Sequence, residues 1–174
     1  MSMKLRVIVP PHPLIAHWLT MLRNVSTPKA LYSTGLEQMG KWLTYEALRE
    51  WLPHKIESVK TEEGETEGTV IQTDIQLIAI PTFPGGLELW QGARSVLPNA
   101  ALSLDGVPES LTQKSGIIFY LDQITTGEIL INYMHQLKEQ AVESKRIRVI
   151  TALASSPGLK NIGEVINDLT IYCG

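Results

Sequence analysis

The second half of the chain alternates short apolar segments with longer amphipathic ones, and this alternation constrains the fold more than any other feature. The apolar segments at 76–81, 116–121 and 146–152 are predicted strands, and residues 86–97 and 126–142 between them are predicted helices. Strands that are apolar on both faces and separated by helices are typical of a parallel sheet covered on both sides. The predicted fold class is therefore α/β, with a parallel sheet flanked by helices.

The first half of the chain is predicted to add N-terminal helices and a small hairpin to this core. A helix is expected from Pro13 to about Asn24, because proline is tolerated in the first turn. Thr27 is predicted to cap a second, longer helix that has Pro28 in its first position and ends before Pro53. The remaining predicted elements are a polar hairpin at 56–62 and 69–73, strands at 100–104 and 169–173, and a helix at 157–166. Because no linker or repeat interrupts the sequence, a single domain is expected to cover residues 1–174.

Composition excludes several classes of function. The formal net charge of −3 gives no general attraction to nucleic acid or to an anionic membrane. The most apolar stretch, residues 75–81, is too short to insert across a bilayer. The histidines share no metal-ligand spacing, so no metal site is predicted. The single cysteine, Cys173, allows no internal disulfide, which favours a reducing compartment such as the cytoplasm.

Two long motifs carry a resemblance to a known family. They are residues 9–19 (VPPHPLIAHWL) and 42–53 (WLTYEALREWLP), and shorter matches follow in order at 79–81, 85–87, 96–98, 125–127 and 168–172. Together they resemble uracil phosphoribosyltransferases, especially those of cyanobacteria and plant plastids. The resemblance covers nearly the whole chain. It implies a phosphoribosyltransferase-like core, and the plastid stroma as an alternative location if the source organism carries plastids.

Members of this family transfer ribose-5-phosphate from phosphoribosyl pyrophosphate to N1 of uracil. The resemblance implies that the anionic donor would be met by Mg²⁺, by arginines and by a phosphate loop at a helix N-terminus. The first arginine belongs to a loop that corresponds here to Thr82, Pro84, Gly85 and Gly86, with Pro84 in the arginine's place. Proline has no charge and no backbone N–H, so it cannot replace a guanidinium.

The second arginine of the family falls at or near Glu109, and a carboxylate there would repel pyrophosphate. Lys114 is the only lysine or arginine between Arg94 and Lys138. The arm that follows in the family, which helps to hold its dimer together, is reduced here to residues 110–115. The family's C-terminal segment that recognises uracil has no counterpart within the chain, so uracil recognition is expected to be impaired.

The phosphate loop of the family corresponds to Asp122, Thr125, Thr126, Gly127 and Glu128. A helix N-terminus after Gly127 would offer backbone N–H groups and a positive dipole end. Glu128 replaces a glycine of the family and would compete with phosphate for that field. Asp122 is the best candidate for a ribose contact, although a capping role at a strand end is the more ordinary interpretation.

These departures predict a degenerate family member that is non-catalytic and acts as an interaction or regulatory subunit. No catalytic residue and no cofactor are predicted, and Mg²⁺ is expected only if transferase activity survives. The expected partner is a second copy in a homodimer or a different protein, with no nucleic acid and no membrane insertion. Two alternatives remain: an active uracil phosphoribosyltransferase of pyrimidine salvage, and a weak mononucleotide- or phosphate-binding module.

Overall fold

The order of helices and strands follows the predicted alternation closely. The computed structural model describes residues 5–97 and 99–174, so Pro98, the last residue of one short motif, lies outside it. The elements are β1 (Arg6–Ile8), α1 (Pro13–Arg23), α2 (Lys29–Leu48), β2 (His54–Thr61), β3 (Gly64–Ile71), β4 (Leu77–Pro81), α3 (Gly85–Ala93), β5 (Ala101–Leu102), β6 (Gly116–Ile124), α4 (Glu128–Glu139), β7 (Ile147–Ala154), α5 (Ser156–Val165) and β8 (Thr170–Cys173). A short 3-10 helix, Ser144–Arg146, precedes β7.

Six of the strands form one parallel sheet in the order β1-β8-β7-β6-β4-β5. The other two, β2 and β3, form a separate antiparallel hairpin in which His54 pairs with Ile71. The predicted α/β class, the parallel sheet and the polar hairpin are therefore confirmed. The predicted strand at 100–104 is shorter in the structure, where only Ala101 and Leu102 pair with β4.

The sheet separates two hydrophobic cores, because successive strand residues face opposite sides. Ala79, Ile118 and Ile150 pack against the layer of α1, α2 and α3. Ile80 and Phe119, one residue further along their strands, belong to the core that includes residues of α4 and α5. All residues of β4 are buried, as expected for a strand covered on both faces.

Helices α2 and α3 pack with their backbones in direct contact. A Cβ atom at Gly40 would collide with the carbonyl oxygen of Leu89, and one at Gly92 would collide with the carbonyl oxygen of Glu37. Only glycine permits so close an approach. The crossing brings the first turns of α2 next to the first turn of α3, at the carboxyl ends of the strands.

The predicted cap of α2 is wrong, whereas α1 has a side-chain cap. Pro28 occupies the N-cap of α2 without a side-chain hydrogen bond. The Thr27 hydroxyl instead donates to the carbonyl oxygen of Met21 at 2.7 Å, which closes the turn between the two helices. In α1, the backbone N–H of Leu14 donates to Nδ1 of His12 at 3.1 Å. Among the described residues, no helix is long and apolar enough to span a membrane.

Candidate functional site

The predicted site residues lie in or beside two loops at the carboxyl edge of the sheet. Thr82, Pro84, Thr125, Thr126 and Gly127 are in the loops, whereas Gly85 and Gly86 begin α3, Asp122 belongs to β6 and Glu128 begins α4. One loop joins β4 to α3 and the other joins β6 to α4. Because β4 and β6 are parallel neighbours, both loops lie at the same edge of the sheet. In open α/β sheets this edge is where ligands bind.

The first loop directs its polar groups into the protein. The backbone N–H of Thr82 donates to the carbonyl oxygen of Tyr120 at 2.9 Å, and the Thr82 hydroxyl donates to the same oxygen at 3.3 Å. The Thr82 carbonyl oxygen accepts from the N–H of Leu87 at 3.2 Å. The Phe83–Pro84 peptide bond is cis, and Pro84 is the N-cap of α3 with no side-chain hydrogen bond. Pro84 therefore supplies neither charge nor a donor to a ligand.

Asp122 lies over the start of α3. A Cβ atom at Gly85 would approach Cβ of Asp122 to 2.5 Å and its Oδ2 to 2.7 Å, so the glycine makes room for this carboxylate. Asp122 is the seventh residue of β6 and is half-buried. None of the hydrogen bonds or ion pairs among the described residues involves its carboxylate, so the capping role considered from the sequence is not formed.

Three further polar residues, Tyr32, Ser33 and Glu88, come from α2 and α3 at the same edge of the sheet, and none of them was predicted from the sequence. Burial raises the pKa of the Tyr32 phenol, and the negative charges of Asp122 and Glu88 raise it further. The Ser33 hydroxyl donates to Oε1 of Glu88 at 3.2 Å. Tyr32 and Ser33 come from α2 and Glu88 comes from α3, so the close packing of these helices creates the cluster. The linear spacing of the residues contains no signal for it.

The second loop requires a glycine. Gly127 is the N-cap of α4 with φ of 80°, in the left-handed region that disfavours side chains. A Cβ atom there would also come within 2.6 Å of Cγ1 of Ile162. Glu128 follows as the first residue of α4, and its backbone N–H lies 3.4 Å from the Thr126 hydroxyl oxygen. The helix predicted from Thr126 is therefore present but begins two residues later, at Glu128.

Side chains of Ser155, just before α5, and of Asn161, within α5, donate hydrogen bonds to carbonyl oxygens of the second loop. The Ser155 hydroxyl donates to the carbonyl oxygen of Thr125 at 2.6 Å, and Nδ2 of Asn161 donates to that of Thr126 at 2.8 Å. The backbone N–H of Gly158 in turn donates to the Ser155 hydroxyl at 3.0 Å. The loop carbonyls are thus satisfied within the protein, and the loop has a fixed shape.

The cavity beside the second loop is small and has no positive lining. Its volume is about 40 Å³, which is room for no more than a few water molecules. The lining consists of Leu121 and residues 123–130, which include Glu128 but no lysine or arginine. The lining therefore offers a phosphate group backbone donors but no side-chain cation.

Several basic residues lie at the opposite, amino edge of the sheet. Lys114 stands two residues before β6, and its carbonyl oxygen accepts from the Arg146 guanidinium at 2.8 Å. A cavity of about 530 Å³ also lies near that edge, between the ends of α4 and α5 and beside Lys138, Lys145 and Asp168. Neither feature supplies positive charge to the predicted site.

Comparison with known proteins places the chain in a family. A family model described as uracil phosphoribosyltransferase matches residues 9–174. The chain belongs to the uracil phosphoribosyltransferase family. The resemblance predicted from the sequence motifs is thereby confirmed.

Relatives include the uracil phosphoribosyltransferase of Nostoc sp., which is 32% identical over 188 residues, covering 99% of this chain and 87% of that protein. The chloroplastic uracil phosphoribosyltransferase of Arabidopsis thaliana is 30% identical, covering 99% of this chain and 64% of the relative. The AQ2163 protein from Aquifex aeolicus has a similar fold, with a TM-score of 0.81 and 23% identity over 97% of this chain and 86% of that one. The motif-based similarity to cyanobacterial and plastid members is consistent with these names.

Proposed function

We propose that this member of the uracil phosphoribosyltransferase family does not catalyse phosphoribosyl transfer and serves as an interaction or regulatory subunit. One observation carries the proposal: the cavity beside the second loop is lined by Glu128 and by no lysine or arginine, and Pro84 stands before α3 where the family resemblance calls for an arginine. This chemistry does not match an anionic donor.

Electrostatic repulsion opposes binding of the donor at this edge of the sheet. Phosphoribosyl pyrophosphate carries several negative charges, and burying charge without compensation is costly. Two like charges 4 Å apart repel by about 4 kcal/mol at an effective dielectric of about 20. Glu128 also occupies the positive dipole end of α4 that would otherwise favour a phosphate. The backbone donors of one helix N-terminus would have to overcome all these costs.

The second candidate is an active uracil phosphoribosyltransferase that acts in pyrimidine salvage. The family match over residues 9–174 and the names of the relatives support this candidate better than they support the first. Mg²⁺ would then have to neutralise pyrophosphate charge. Its preference for carboxylate oxygens fits Asp122 and Glu88, which both lie near Tyr32.

A third candidate is a weak mononucleotide- or phosphate-binding module. The retained turn at Thr125, Thr126 and Gly127 supports it, since the first N–H groups of α4 follow directly. The small cavity and Glu128 oppose it. Binding without turnover would be its distinguishing property.

An assay of the transfer reaction separates these candidates. Purified protein given uracil, phosphoribosyl pyrophosphate and Mg²⁺ is expected to form no uridine monophosphate above the background without protein. The Nostoc relative, assayed beside it, controls for the reagents and conditions. Turnover of roughly 1 per second or more, which is ordinary for an enzyme, would reject the proposal and establish the second candidate.

A further inference from the structure

Large apolar side chains stand exposed around the carboxyl edge of β4, β5 and β6. Phe83 is 58% exposed in the loop after β4, Leu104 is 47% exposed after β5, and Ile129 is 55% exposed in the first turn of α4. Single exposed apolar side chains are common on protein surfaces. These three surround one edge of the sheet, because the parallel strands end there together.

Each of these apolar residues has an acidic neighbour. Asp105 and Glu128 adjoin Leu104 and Ile129 in sequence. Asp122 lies against Gly85, two residues beyond Phe83. The ion pairs among the described residues lie elsewhere, at Glu46, Glu57, Glu143 and Glu164. Glu88 stands one helical turn after Gly85 in α3, on the side of the helix that Asp122 approaches.

We propose that this carboxyl-edge surface, formed by Phe83, Leu104, Ile129, Glu88 and Asp122, docks a protein segment that carries a lysine or arginine between large apolar side chains. The cation would lie between Asp122 and Glu88, and the apolar side chains would cover Phe83, Leu104 and Ile129. This proposal rests on the proposed function, since the same edge cannot hold substrate and partner together.

The charge of the surface selects this occupant. An anionic ligand meets the repulsion already described, and the same carboxylates attract a cationic segment and orient its approach. Burying the apolar side chains contributes about 25 cal/mol for each Å² removed from water. Arginine and aromatic residues are also enriched in protein interfaces, where they act as anchors.

A second copy of this chain fits the surface less well. The cations that a second copy could offer lie elsewhere on the chain, such as Arg6 and Arg146 at the amino edge of the sheet and Lys55 beside the exposed Ile56 on the hairpin. Contact between unlike edges is head-to-tail, and such contacts build open chains unless the rotation closes a ring. A different protein therefore satisfies the charge pattern more simply.

Selection of random peptides displayed on phage, with the full chain as target, tests the proposal. Enriched peptides are expected to combine lysine or arginine with leucine, phenylalanine or tryptophan. Their binding, measured by calorimetric titration, is expected to weaken at least about tenfold for Phe83→Asp and for Leu104→Asp. Ile56→Asp is the matched control, because Ile56 is 69% exposed and lies on the β2–β3 hairpin, outside the six-stranded sheet. This variant is expected to leave binding unchanged.

Circular dichroism confirms that each variant is folded, and two independent variants protect the test against the failure of one. Enriched peptides without basic residues, or binding that both variants leave intact, would overturn the docking proposal. Self-association of the parent that Phe83→Asp abolishes would also overturn it and assign the surface to a second copy. Uridine monophosphate formation in the separate assay would reject the proposed function, whereas a negative peptide result without turnover rejects only the docking segment.

Discussion

Glu128 combines two effects at a single residue, since its side chain brings both negative charge and bulk to the first turn of α4. Its backbone N–H is one of the donors that a phosphate at this helix end would use, and it already lies 3.4 Å from the Thr126 hydroxyl. Charge and space can be separated by substitution. Glutamine removes the charge and keeps the volume, and glycine removes both.

Glu128→Gly is expected to give weak binding of inorganic phosphate or ribose-5-phosphate, with little or none in the parent. Even about 1 kcal/mol of relieved repulsion, a quarter of the unscreened value at 4 Å, changes affinity several-fold. The variant should lose up to about 1 kcal/mol of stability, because glycine is a poor helix residue. Calorimetric titration and urea unfolding measure the two effects.

Glu128→Gln identifies which effect controls the site. Binding by the glutamine variant would show that charge is decisive, and binding by the glycine variant alone would show that space is. If neither variant binds, the cavity of about 40 Å³ closes the site by its shape. Tight binding of ribose-5-phosphate by the parent would contradict the expectation and favour the third candidate function.

At the scale of elements, the contact between α2 and α3 decides where the acidic cluster forms. Gly92→Ala is expected to destabilise the protein by about 1–3 kcal/mol, because the new methyl group meets the backbone carbonyl of Glu37 and cannot be accommodated by a side-chain movement. The Ser33–Glu88 hydrogen bond should weaken with it. Urea unfolding, followed by circular dichroism, measures the change in stability.

Gly163→Ala is the matched control for that substitution. Gly163 lies inside α5, and among the described residues a Cβ atom there meets only the Leu5 side chain, at ordinary contact distances of 3.6 and 3.7 Å. Because alanine favours a helix more than glycine does, this variant should be stabilised by roughly 0.4–1 kcal/mol. Equal destabilisation by both substitutions would show that the α2–α3 contact is not special.

Elements with strong periodicity were predictable from the sequence, and contacts between elements were not. The apolar runs of β4, β6 and β7 and the glycine before α4 identify the sheet and the second loop. The meeting of Tyr32, Glu88 and Asp122 depends on a helix crossing, which no local pattern encodes. The predicted cap at Thr27 failed because its hydroxyl has a competing acceptor, the carbonyl of Met21, in the preceding helix.

At the scale of the molecule, Tyr120 connects the core to the candidate site. Its side chain is fully buried, and its hydroxyl lies 3.1 Å from the Thr44 hydroxyl of α2. Its carbonyl oxygen accepts both hydrogen bonds from Thr82 in the first loop. The Trp90 ring of α3 packs 5.7 Å away, centroid to centroid. One residue of β6 thus contacts both helices that shape the site.

Because Tyr120 is buried, the free energy of unfolding of the whole protein is expected to fall as the pH rises into the alkaline range. Burial raises the pKa of the Tyr120 phenol well above its ordinary value, and the hydrogen bond with Thr44 opposes this only in part. The folded state holds the phenol proton more tightly than the unfolded chain does. The contribution of this proton to the free energy of unfolding is therefore fully present below about pH 10, the pKa of an unperturbed tyrosine. It is lost as pH rises above that value, by up to about 1.4 kcal/mol per pH unit for one proton.

Tyr120→Phe isolates this contribution. Phenylalanine cannot ionise, so the variant's free energy of unfolding should fall less steeply than the parent's above about pH 10. At neutral pH the variant should be about 1 kcal/mol less stable, because the Thr44 hydroxyl loses its partner. Tyr45→Phe is the matched control, since Tyr45 is exposed and the slope should stay that of the parent.

Tyr32 and Cys173 also contribute to the alkaline loss of stability. Burial raises the pKa values of both groups, so their ionisation lowers the free energy of unfolding in the same direction, and only the difference between parent and variant measures Tyr120. Urea unfolding from neutral to alkaline pH decides the matter, and identical slopes for the parent and Tyr120→Phe would show that the phenol reaches solvent before it ionises.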